Sequence, residues 1–216
     1  MGPLHGVPLA HKDIFFRAGK ICSGGTRLRQ SHVMEHTATV LQRLAGAGAL
    51  NLGRLNLSEF SIGPTGHNDH FGTCHNPWNL KCITGGSSSG PAAAVSARLI
   101  FGSLGSDTGG SVRIPAALCG LVGMKPTHGR VSRSGVLPIS FSTDTPGPLT
   151  RTVRDCARLC RVIAGRDDDD AVTSTEPVED YEASCGRNIR GIRIGTPREY
   201  SGMDVVPVVR QALVGA

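Results

Sequence analysis

Two glycine-rich turns that run directly into helix-patterned segments constrain this chain more than any other feature. Gly85–Gly90 (GGSSSG) leads into Pro91–Ile100, and Gly105–Ser111 (GSDTGGS) leads into Pro115–Cys119. A flexible linker is not followed at once by a well-patterned helix, so both turns belong to a packed domain. Pro91 is expected to open the next helix, where its missing N–H has no partner to lose, and Ala92–Ile100 to continue it. Between the turns, Phe101–Gly105 reads as a short buried strand. The alternation extends in both directions. His36–Ala47 carries Val40, Leu41, Leu44 and Ala45 on one helical face, and Ala49–Leu52 follows as a strand. Thr152 and Asp155 form a capping box for a helix running to about Ile163 and stopped by Gly165. Gly191–Gly195 is expected as a strand and Val205–Val214 as a last helix. Helices alternating with short buried strands define an α/β class. Residues 61–90, rich in Gly, Asn, Ser, Pro and Thr, read as a long functional loop, and Asp167–Asp170 as an exposed one.

Composition excludes several classes. Glycine fills 29 of 216 positions but has no three-residue period, so a collagen-like chain is ruled out. The longest apolar stretches, Pro91–Val95 and Ile114–Leu118, are far short of the roughly 18 residues a membrane span needs. Met1–Val7 has no pattern of a secretory signal. The net charge of +6 comes from scattered residues, and aromatics are only 4%. A nucleic-acid surface would need a basic stripe interleaved with aromatics, so no nucleic-acid partner is expected. Arg151, Arg154, Arg158 and Arg161 sit at helical spacing and read as a solvated face. The seven cysteines are odd in number and contain no CxxC, which points to reduced thiols in a cytoplasmic protein.

Some chemical motifs are weak. Gly86–Gly90 formally matches G-x-S-x-G with Ser88 as nucleophile, yet Asn79–Thr84 before it is too polar for the apolar strand that elbow requires. Gly46-Ala47-Gly48 follows a helix instead of a strand and lacks the third glycine of a dinucleotide loop. His67, His70, Cys74 and His75 have no standard metal-ligand spacing, so no metal is expected. The stronger signal is a set of three segments: Gly6–Asp13 (GVPLAHKD), Gly85–Gly90 and Gly105–Pro115. Lys12 lies 75 residues before Ser87, and Ser87 lies 24 before Ser111.

With these segments, and with Asn76-Pro77-Trp78, Gly123–Thr127 and Gly129–Ser132, the chain from about Gly2 to Gly165 resembles the amidase signature family. Within it, the chain looks most like amidases similar to the A subunit of glutamyl-tRNA(Gln) amidotransferase. Ser89 and Pro91 depart from the residues common at their positions. The resemblance implies a twisted mixed β-sheet core covered by helices on both sides. It also implies that residues 1–216 form a single domain, the central portion of an amidase signature domain, truncated at both ends. The implied activity is hydrolysis of a carboxylic amide through a Ser–cis-Ser–Lys triad. In it Ser111 is the nucleophile, Ser87 bridges after a cis Gly86–Ser87 peptide, and Lys12 is the base. Thr108, Gly109, Gly110 and Ser111 would supply oxyanion N–H groups, while Ser88, Asp107 and Arg113 hold the loops. No cofactor or metal is implied. The implied partners are a small-molecule amide and either a second copy or amidotransferase subunits, with no membrane. The alternatives are an inactive fragment and a glutamine-hydrolysing amidotransferase component. Lysine acts as a base only when neutral, so Lys12 must be buried among apolar neighbours, and Asp13 must turn away from it.

Overall fold

Pro8–Lys12 (β1) alternates so that successive side chains leave the strand on opposite faces. Among the described residues, 1–195, 199 and 205–215 of a computed structural model, β1 pairs in parallel with two strands. One is Leu50–Leu55 (β2), the other Gly102–Asp107 (β5). Thr145–Thr150 (β7) runs antiparallel to β5, and Val122–Gly123 (β6) antiparallel to β7. The sheet order is therefore β2-β1-β5-β7-β6, a mixed sheet as expected.

Helices cover it. Thr39–Gly46 (α1) and Val153–Ile163 (α4) bury Val40, Leu41, Leu44, Leu159 and Ile163 with Leu9 and Leu104 of the sheet. Ser89–Ser96 (α2) and Arg113–Leu118 (α3) pack Ala92, Val95 and Ala116 with Ala10, Val112 and Leu149. Thr152 caps α4 by accepting the Asp155 N–H at 3.1 Å, and its hydroxyl donates to the Asp155 carboxylate at 2.7 Å. These elements belong to one unit, Met1–Cys185; a second, Gly186–Ala216, holds the helix Pro207–Val214 (α5), which starts on a proline. No described helix is long and apolar enough to cross a membrane.

Several expectations need correction. The loop 61–90 contains a hairpin, His75–Asn76 (β3) against Asn79–Ile83 (β4). Helix α2 begins at Ser89, so Pro91 sits within its first turn instead of opening it. Gly191–Gly195 forms no strand, because no ladder partner lies beside it among the described residues. Asp167–Asp170 is no mere exposed loop. Asp170 is buried against Arg133, whose Nε and Nη2 donate to it at 3.1 and 2.9 Å, and Asp167 accepts the Ser132 hydroxyl. The arginine face is likewise partnered. Arg151 donates to the Val95 and Ile100 carbonyls, Arg158 forks onto Glu182, and Arg161 pairs with Asp180.

Glycine serves contact between backbones near the sheet end. A Cβ at Gly86 would lie 2.5 Å from the Gly63 carbonyl oxygen, and one at Gly90 2.5 Å from that of Asn56. At Gly105 it would lie 2.6 Å from Ser88 Oγ.

Candidate active site

Lys12 closes β1 and is 0% exposed. Its Nζ donates to Ser87 Oγ at 2.7 Å and to Ser106 Oγ at 3.0 Å. Burial lowers its pKa from 10.5 to about 7, against the opposing pull of the Asp107 and Asp144 charges. Asp13 does turn away: its carboxylate accepts the Ser23 hydroxyl and N–H at 2.5 and 3.1 Å and faces Arg54 at 3.4 Å.

Ser87 sits between β4 and α2, follows a cis peptide from Gly86, and is buried. Its carbonyl accepts the Ser58 N–H at 3.2 Å, and the Gly86 N–H donates to the Pro64 carbonyl at 2.7 Å. The loop after Leu57 thus fixes Ser87 from outside the predicted motifs. Ser88 joins the two glycine-rich turns. Its N–H donates to the Ser111 carbonyl at 3.2 Å and its hydroxyl to the Ser106 carbonyl at 3.4 Å.

The second turn is wound around Asp107. One carboxylate oxygen accepts the Gly110 N–H at 2.8 Å and Arg113 Nη2 at 2.9 Å. The other accepts Arg113 Nε at 3.0 Å and the N–H groups of Val112 and Arg113 at 3.2 and 3.3 Å. Burial pushes the Asp107 carboxyl up, but Arg113 and these N–H groups outweigh it and hold the group below its ordinary value. Because Gly110 gives its N–H to Asp107, it is not open as an oxyanion donor. The N–H groups of Thr108, Gly109 and Ser111 have no acceptor among the described residues.

Lys12 and Ser87 are therefore in direct contact. Ser111 is half-buried, its carbonyl accepts the N–H of Ser88 next to Ser87, and its side chain has no hydrogen bond to Ser87. Ser106 and Asp144 were not among the sequence-level candidates. Ser106 stood inside a motif read as a turn, but β5 runs on through it. Asp144 accepts the Thr108 hydroxyl at 2.5 Å from 36 positions away, and no local pattern marks it.

The weaker motifs find other uses. His67 bonds Thr65, His70 meets Glu59 and His75 meets the Leu80 carbonyl, each at 2.8–2.9 Å. No cluster of three or more potential metal ligands forms among the described residues.

The amidase family model matches residues 1–216. The A subunit of glutamyl-tRNA(Gln) amidotransferase from Pseudomonas savastanoi pv. phaseolicola is 48% identical over 97% of this chain and 44% of its own length. The solved structure of the corresponding protein from Thermotoga maritima superposes with a TM-score of 0.78 at 44% identity, covering 80% of this chain and 39% of its own. Peptide amidase from Stenotrophomonas maltophilia gives a TM-score of 0.78 at 41% identity, covering 84% and 39%. The chain thus spans less than half the length of the curated relatives it matches.

Proposed function

The chain belongs to the amidase family, and from that premise we propose that it hydrolyses a carboxylic amide to acid plus ammonia or amine, as part of an amidase signature domain. The observation that carries the reading is the buried Lys12 Nζ, 2.7 Å from Ser87 Oγ. Neutral Lys12 takes the Ser87 proton while Ser87 takes that of Ser111, and Ser111 Oγ forms a bond to the amide carbonyl carbon. The oxyanion is met by the N–H groups of Thr108, Gly109 and Ser111, in a turn that Asp107, Arg113 and Ser88 hold in place. The Lys12 proton returns through Ser87 to the leaving nitrogen, and the C–N bond breaks. Water then attacks the acyl ester, with the same relay removing its proton, and Ser111 is restored. The scheme calls on no metal or cofactor.

A fluorophosphonate probe applied to the intact protein is expected to label Ser111, and Ser111→Ala to abolish labelling. Labelling lost in Ser88→Ala but kept in Ser111→Ala would instead support the G-x-S-x-G elbow.

A second reading, glutamine hydrolysis within an amidotransferase, is favoured by the 48% identity to the relative from Pseudomonas savastanoi. Ammonia release from glutamine that appears only with co-purified partner subunits would select it. In either case the seven free cysteines fit a reducing, cytoplasmic setting.

A further inference from the structure

The sheet end that holds Lys12 also holds two buried carboxylates, and they are treated differently. Asp107 carries its own counter-ion, the forked Arg113. Asp144 is 8% exposed and has no cation within ion-pairing distance among the described residues. Arg133, which lines the same cavity of about 250 Å³, feels the Asp144 charge but is ion-paired to Asp170 at 2.9 Å. Asp144 is instead saturated by neutral donors. One oxygen takes the Thr108 hydroxyl at 2.5 Å, and the other takes the N–H groups of Ile139 and Ser140 at 2.7 and 2.8 Å. Ser106, whose hydroxyl accepts from Lys12, lines that cavity beside Asp144.

Among the described residues, other charges on the elements around Lys12 are absent or spent. Helix α2 (SGPAAAVS) and strand β7 (TPGPLT) carry no titratable residue. Arg54 of β2 is used by Asp13 and the Ile21 carbonyl. Within β1, His11 is held neutral by burial.

Resting on the reading of Lys12 as the base, we propose that Asp144 is a positioning residue with two tasks. Its charge, acting beside that of Asp107, shifts the pH range over which Lys12 works, and its bond to Thr108 holds the turn whose Thr108, Gly109 and Ser111 N–H groups face the oxyanion. The physical reason is simple. A buried ammonium is stabilised by a nearby negative charge, and Asp144 acts on Lys12 in that sense beside the stronger Asp107.

The test is the pH profile of kcat/KM for amide hydrolysis by the intact protein. Asp144→Asn is expected to move the rising limb about one pH unit towards acid. In Asp144→Ala, formate entering the vacated cavity should move the limb back. Thr108→Val keeps the charge but breaks the clamp, so kcat should fall about tenfold or more with the limb unmoved. A folded Asp144→Asn with a lower melting temperature but an unshifted limb overturns the proposal, leaving Asp144 a structural residue. If neither Asp144 variant folds, Thr108→Val decides, and a kcat within about twofold of the parent sinks the clamp. Failure of the underlying reading is a separate result: there, an active Lys12→Arg would retain the parental profile.

Discussion

His11 and Lys12 are neighbours on β1, both almost wholly buried, and they live in fields of opposite sign. Burial strips charge from each. Around His11 the nearby charges are the guanidiniums of Arg17 and Arg54, which add to burial and lower its pKa to about 4. Around Lys12 they are the carboxylates of Asp107 and Asp144, which oppose burial and leave it at about 7. The surroundings differ in hydrogen bonding too. Lys12 has two serine hydroxyls in reach, whereas His11 Nδ1 is buried without a partner. Burial alone does not make a base: a group held neutral at every ordinary pH is inert, and one held near neutrality can take and return a proton.

The largest effect that could break this comparison is on Lys12. Lys12→Ala and Lys12→Arg should each lower kcat/KM by about a thousandfold, since neither offers a neutral amine. In the parent protein, the rate should rise with pH on a limb centred near the Lys12 pKa of about 7. Stability should follow the same group. The folded pKa lies below the unfolded one, so the unfolded chain binds the extra proton between about 7 and 10.5, and stability rises with pH across that window. Lys12→Met should flatten that rise in melting curves.

Next in size is Asp107→Ala, which strands the N–H groups of Gly110, Val112 and Arg113. It should cost about 2–4 kcal/mol in chemical denaturation and remove activity with it. The smallest effect is expected for His11→Leu. At neutral pH the rate should not change, and stability should stay level or rise by about 1 kcal/mol, because an unpartnered nitrogen leaves the core. On the acid side, the parent should lose about 3 kcal/mol as pH falls from 6.5 towards 4, the unfolded chain being protonated first. His11→Leu should lose that slope. If it lost activity instead, the contrast between the two neighbours would fail.

How much of this was legible in the sequence depends on distance along the chain. Lys12, Ser87, Asp107 and Ser111 sit in short segments whose composition is unusual, and the helices α1 and α4 carry periodic apolar residues. The turn of Asp13 away from Lys12 was legible too, because a carboxylate on the ammonium would have raised its pKa. Ser106 was hidden because the strand pattern of the sequence stops at Gly105, while β5 continues through polar residues that its burial accommodates with hydrogen bonds. Asp144 lies in a Ser-, Thr- and Pro-rich run that looks like any loop, and only folding brings it to Thr108. Asp170 was concealed among four like charges, although just one of them faces inward to Arg133. Local chemistry is readable residue by residue, whereas long-range charge pairing is set by the topology.

The glycines packed beneath Ser87 and Ser88 bear on how this protein can change. Gly86, Gly90 and Gly105 each touch backbone or a site side chain at distances that leave no room for one more carbon atom. A chain so rich in glycine is for that reason stiff where it matters, and the floor of the site is closed to gradual variation, since the smallest step available is already too large. New selectivity in such a scaffold has to be acquired on its rim, in the loops whose side chains still face solvent, while the chemistry underneath is inherited unaltered.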